Sequence, residues 1–103
     1  MVTILKVYKK GCAPCERVGA ILSQVKVPYV LEELDIEDSK FAVRRKAKGL
    51  LGSHGTTNIP LLVFIKEDEK EGYAAHYYEE GDPTVEVIKA KLALGEPPVE
   101  ILK

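Results

Sequence analysis

Two hydrophobic rhythms alternate along the chain. Thr3 to Tyr8 reads Thr-Ile-Leu-Lys-Val-Tyr, a short β-rich run closed by Lys9-Lys10-Gly11, and it predicts a first strand. From Cys15 the period changes. Val18, Ile21, Leu22 and Val25 fall at i, i+3, i+4 and i+7, the stripe of an amphipathic helix. Gly19 sits inside that helix at a cost of about 1 kcal/mol relative to Ala, which close packing would explain. Pro28 then breaks the chain, and Tyr29 to Ile36 predicts a second strand whose Glu32 and Glu33 mark an exposed edge.

Asp38-Ser39 offers a cap for a second helix running to about Lys48, with Ala42, Val43 and Ala47 facing inward. Arg44, Arg45, Lys46 and Lys48 then occupy its last turns, where cations suit the negative end of the helix dipole. Gly49 through Thr57 is expected to be a loop. Ile59 to Ile65 is apolar enough for a third strand buried on both faces. A polar turn, Glu67 to Gly72, joins it to a fourth strand, Tyr73 to Tyr78, so the pair is expected to be an antiparallel hairpin. A third helix is predicted from Asp82 as N-cap, Pro83 at the first helical position, and Val85, Ile88 and Leu92 at helical spacing. Gly95 and Pro97-Pro98 end it.

The resulting order is β-α-β-α-β-β-α. A first βαβ unit closed by a hairpin packs naturally as an α/β domain: a four-stranded mixed sheet flanked by helices. At 103 residues the chain is expected to form one domain over 1–95 with a C-terminal tail over 96–103. A domain of this size buries about 65% of its unfolded surface and needs no metal or disulfide to fold. The formal net charge of −1 gives no electrostatic case for nucleic acid or an anionic membrane as partner. The longest uncharged runs are too short to span a bilayer, and Met-Val-Thr-Ile-Leu-Lys is not read as a signal peptide. Two cysteines are too few for a secreted disulfide framework, so the reducing cytoplasm is the expected compartment.

Those two cysteines carry the chemistry. Cys12-Ala13-Pro14-Cys15 lies where the first strand gives way to the first helix. The first turn of a helix presents unpaired N–H groups and the positive end of the dipole, and both stabilise a thiolate. Pro14 suits that turn because its missing donor would have had no partner. Cysteines three apart on a helical turn share a face, within the separation a disulfide requires. Lowering a thiol pKa from about 8.5 to about 7 raises its thiolate fraction at neutral pH from about 3% to about 50%. That shift is worth about 2 kcal/mol. A helix terminus supplies roughly half, and N–H hydrogen bonds or nearby lysines can add the rest. Lys9 and Lys10 immediately precede the motif. Cys12, at the exposed end, is the expected nucleophile, and Cys15, one turn in, the resolving thiol.

CxxC after a first strand, then Thr57-Asn58-Ile59-Pro60-Leu61-Leu62-Val63-Phe64 and Glu80-Gly81-Asp82, resembles the glutaredoxin branch of the thioredoxin-like fold from Thr3 to about Leu94. The resemblance implies a cis Pro60 lying against the CxxC, with Ile59 offering its backbone to an incoming thiol substrate. It implies Lys9 as a contact for a glutathione carboxylate, and Gly81 and Asp82 as further substrate-binding positions. It implies a monomeric thiol–disulfide oxidoreductase with Cys12, Cys15 and Pro60 at its centre, acting on protein disulfides or glutathione mixed disulfides. No tightly bound cofactor is implied; glutathione enters as a co-substrate. The motif also departs from the branch. Glutaredoxins carry Pro-Tyr between the cysteines, and Ala13-Pro14 is closer to the Gly-Pro of thioredoxins, yet the tryptophan that precedes the thioredoxin motif is missing here. A thioredoxin-reductase-type flavoprotein therefore stands beside glutathione as the expected reductant.

The rival of a different class is a thioredoxin-fold binding module holding a metal or an iron–sulfur cluster. A structural zinc needs four ligands, and only His54 and His76 are available to join the cysteines. No metal site is assigned. His54, in Gly-Ser-His-Gly, reads as a loop residue, and the cluster from Arg44 to Lys48 as a solvated helix end.

Overall fold

The central strand is the first. In the computed structural model, which describes residues 2–66, 73–76 and 83–94, β1 (Thr3–Tyr8) lies inside a sheet of order β2-β1-β3-β4. The other elements are α1 (Ala13–Ser23), β2 (Val30–Asp35), α2 (Phe41–Ser53), β3 (Leu61–Ile65), β4 (Tyr73–His76) and α3 (Val85–Leu94). β1 runs parallel to β2, with Thr3 opposite Val30 and Tyr8 opposite Asp35. It runs antiparallel to β3, with Thr3 opposite Ile65 and Val7 opposite Leu61. β3 and β4 pair antiparallel, Leu61 opposite His76.

Successive side chains on a strand point to opposite faces, and both faces here are apolar. Ile4, Leu62 and Phe64 meet Val18, Leu22 and Val25 from the α1 segment and Ile88 and Leu92 from α3. Leu5, Val7, Leu34, Leu61 and Val63 meet Ala47 and Leu51 of α2. The unbroken run Leu61 to Phe64 is buried residue by residue, as a strand covered on both faces must be. β2 is an edge strand, and its Glu32 and Glu33 are exposed.

Gly19 is explained by a charge. A Cβ built there would lie 2.9 Å from the Lys6 Nζ, so the missing side chain makes room for a buried ammonium.

β2 and β3 are shorter than the sequence reading, Val30–Asp35 and Leu61–Ile65, and the later helices differ more. α2 starts at Phe41 and continues to Ser53 rather than stopping near Lys48, and its N-cap is Lys40 with no side-chain bond. The Asp38 carboxylate accepts from the Lys40 N–H at 2.7 Å, which spends it in a tight turn ahead of the helix. The helix continues because Leu51 has a core to enter, whereas Ala42 is exposed. The basic cluster is consequently mid-helix, away from the negative dipole end. Lys46 reaches Glu32 at 2.7 Å, and Arg44 donates to the Asp38 carbonyl at 2.7 Å. In α3 the cap is Thr84, whose Oγ1 accepts the Val87 N–H at 3.1 Å; Pro83 precedes the helix and does not open it. The expected turn at 67–72, Tyr77, Tyr78, Asp82 and the tail lie outside the described residues.

Tyr29 ties the end of α1 to the sheet, its hydroxyl donating to the Leu22 carbonyl at 2.7 Å. Burial pushes its phenol pKa up. Tyr8 is raised too, by burial first and then by the charges of Asp35, Glu33 and Asp38. The fold therefore holds these protons to higher pH than the unfolded chain does, so the stability involved is intact below about pH 10 and is lost as pH rises through the folded values. Urea midpoints are expected to fall above about pH 10. Tyr29→Phe should flatten part of that fall while costing about 1 kcal/mol at neutral pH for the lost hydrogen bond. An alkaline fall unchanged in both Tyr29→Phe and Tyr8→Phe would place its origin elsewhere.

Candidate functional site

The chain leaves β1 through Lys9 and Lys10 and turns at Gly11, whose φ of +76° is a conformation other residues adopt only at a cost. The turn delivers Cys12 as the N-cap of α1, with Pro14 in the first turn. The Cys12 Sγ accepts the Cys15 N–H at 3.2 Å, and its carbonyl accepts the Glu16 N–H at 3.0 Å. A sulfur in this position meets the unpaired donors and the positive dipole end, which favour its anionic form. The two sulfurs are joined as a disulfide, and their Cα atoms are 5.2 Å apart, inside the usual range.

The cysteines differ in access. Cys12 is 8% exposed and Cys15 only 1%. Cys12 is thus the more reachable sulfur, although more covered than a bare helix start. It opens into a groove of about 300 Å³ lined by Lys9, Cys12, Pro14, Ile36, Thr57, Asn58 and Ile59. Thr57 and Asn58 continue into an adjoining hollow of about 370 Å³ with Gly52, Gly55 and Thr56. The Ile59–Pro60 bond is cis; Pro60 is buried and does not line the groove. The structure therefore brings Lys9, Cys12 and Ile59 to one groove. Gly81 and Asp82 lie outside the described residues. His54 is the C-cap of α2 and does not line the groove.

Cys15 contributes to a second cavity, of about 210 Å³, with Lys6, Tyr8, Lys9, Lys10, Gly11 and Glu16. Lys6 is a member the sequence reading passed over. It is 6% exposed, lies over the Tyr8 ring at 5.1 Å, and reaches the half-exposed Glu33 at 3.5 Å. The available signal was a lysine between Leu5 and Val7 in a strand with apolar neighbours. Ile36 was also passed over, since nothing local marks it as a neighbour of Cys12, and Thr57 and Asn58, part of the same motif as Ile59, were given no role.

No protein-family model and no curated protein sequence matches the chain. Solved structures do. A mutant thioredoxin from Halobacterium salinarum superposes with a TM-score of 0.65 at 15% identity, over 90% of this chain and 73% of that one. Oxidised thioredoxin O2 from Arabidopsis thaliana gives 0.63 at 15% identity, over 93% and 76%. A malarial protein gives 0.57 at 13% identity, over 92% and 97%. The class is therefore defined by its backbone: this is a thioredoxin-fold chain. Within that fold it carries a CxxC pair, Cys12 and Cys15, able to form a disulfide at the start of α1. Among the described residues, no helix is long and apolar enough to cross a membrane. Among the same residues, no group of three or more His, Cys, Asp or Glu is placed to hold a metal ion.

Proposed function

We propose that the protein is a glutaredoxin-like thiol–disulfide oxidoreductase that cycles Cys12 and Cys15 between dithiol and disulfide, acting as a cytoplasmic monomer. The observation that carries the reading is the Cys12–Cys15 pair at a helix N-terminus, with Cys12 opening into a groove. The Cys12 thiolate attacks one sulfur of a substrate disulfide, forming a mixed disulfide and expelling the first substrate thiolate. The Cys15 thiolate then attacks the Cys12 sulfur and expels the second. The substrate gains two electrons and its thiolates take two protons from water, while the dithiol becomes the disulfide. A reductant restores it.

The groove suits a thiol attached to an extended peptide or to glutathione. Ile59 offers backbone to an added strand, and Lys9 a cation to a carboxylate. Pro60 supports Ile59 from behind, and Gly81 and Asp82 would extend the substrate site. A second reading differs in the electron source: a thioredoxin-reductase-type flavoprotein in place of glutathione. Ala13-Pro14 between the cysteines and the backbone likeness to thioredoxins favour it.

One experiment separates them. Reduction of a glutathione mixed disulfide is followed with glutathione and glutathione reductase, and in parallel with thioredoxin reductase. Turnover in the first alone supports the glutaredoxin-like reading, and turnover in the second alone the thioredoxin-like one. Turnover in neither, with a small dithiol also failing to drive reduction, rejects an oxidoreductase.

A further inference from the structure

Lys6 is a buried cation that the exchange reaction leaves without a task. It projects from β1 toward α1, and the bare backbone of Gly19 accommodates its Nζ. Gly19 is one helical turn beyond Cys15, and Lys6 and Cys15 line the same small cavity. Cys15 has the harder thiol to ionise. It is almost wholly buried, and burial disfavours a thiolate. It also lies inside the helix, one turn past the N-cap position where Cys12 receives an N–H. Displacement of substrate nevertheless requires Cys15 as an anion.

We propose that Lys6 is a positioning residue for the resolving thiol: its buried ammonium favours the Cys15 thiolate, and so sets both the rate of the displacement step and the poise of the disulfide. This rests on the oxidoreductase reading and names the group that regulates it. The other charges around the cavity act more weakly. Lys9 and Lys10 are exposed, where water and salt screen them; Glu16 is exposed as well. Tyr8 has its phenol pushed up, so it stays neutral while thiols titrate. Behind Lys6 stand Glu33, half in solvent, and Asp35 on β2. From α3 the inward residues of this face are the apolar Ile88 and Leu92; Lys91 is also buried on that helix and does not line the cavity. Glu33 opposes Lys6, since a carboxylate beside the ammonium cancels part of its field at Cys15. Removing one or the other must therefore move Cys15 in opposite directions.

The test uses Lys6→Met, apolar and of similar length, and Glu33→Gln, at a position open enough to leave folding intact. Far-ultraviolet circular dichroism checks both. The Cys15 thiol pKa is read from thiolate absorbance in the Cys12→Ser background. The two steps are separated with 5,5′-dithiobis(2-nitrobenzoate), whose first thionitrobenzoate reports attack by Cys12 and whose second reports displacement by Cys15. Lys6→Met is expected to raise the Cys15 pKa by about one unit and slow the second release about threefold at pH 7, the tenfold loss of thiolate being partly offset by its higher nucleophilicity, with the first release unchanged. At a pH above the Cys15 pKa of both proteins, where the thiolate is populated, the equilibrium with glutathione should shift about tenfold toward the protein disulfide, a potential lower by about 30 mV. Glu33→Gln should lower the Cys15 pKa and speed the second release. An unchanged second phase in Lys6→Met, or shifts of the same sign in both variants, overturns the proposal. The thiol pKa is measured without turnover. If Cys15 responds as stated but no disulfide substrate is reduced, the oxidoreductase reading fails while the electrostatic role stands.

Discussion

Cys12→Ser is expected to lower turnover of a peptide disulfide by roughly 10³-fold or more, the scale seen when a nucleophile is removed, while Cys15→Ser is expected to accumulate a mixed disulfide on Cys12. The asymmetry follows from where the helix puts each sulfur. Cys12 caps α1, accepts the Cys15 N–H at 3.2 Å, and faces the groove. Cys15 is almost wholly buried and is expected to meet a substrate sulfur only after Cys12 has captured one. Mass spectrometry of each variant after exposure to excess disulfide reads the outcome directly. Equal loss in both with no adduct in either would overturn the assigned roles.

Phe64→Ala is expected to cost about 3–5 kcal/mol, a large part of the roughly 5–15 kcal/mol available to a domain. Phe64 is among the largest fully buried side chains, and its ring lies on the face where α1 and α3 converge on Ile4 and Leu62. Its removal leaves a cavity that those elements, held on a fixed sheet, fill only in part. Leu31→Ala serves as the comparison. Leu31 is 39% exposed on the edge strand, and its truncation should change stability by no more than about 0.5 kcal/mol. Guanidinium unfolding of the two reduced variants measures both. A loss under about 1 kcal/mol for Phe64→Ala would mean that this face is loosely packed.

What the sequence disclosed divides along the range of the interactions involved. β1 was legible residue for residue because a β-rich run ends abruptly in Lys9-Lys10-Gly11, a local signal with a local cause. The cysteines were legible because strand, turn and helix start adjoin in sequence. The start of α2 was not. Asp38-Ser39 has the composition of a cap, but the Asp38 side chain bonds the Lys40 N–H and the helix begins afterwards. Its end was misplaced because Gly49 and Gly52 resemble a loop until Leu51 is seen entering the core beneath β1. The groove was half legible. Cys12, Lys9 and Ile59 came from motifs, one of which also held Thr57, whereas Ile36 reaches Cys12 only through the fold. Lys6 shows the same limit from the other side. A lysine in a strand ordinarily reads as a solvent-facing residue, and only the packing of α1 over this face of β1 makes it interior.

That central place of β1 bears on how the chain is made. The strand leading to both cysteines is translated before its antiparallel partner β3, which follows only after all of α2. Until Leu61 to Ile65 have been added, one edge of β1 has no partner and the face beneath α1 lacks Leu62 and Phe64. The nascent βαβ segment therefore exposes its two thiols before the wall containing Ile59 and Pro60 exists.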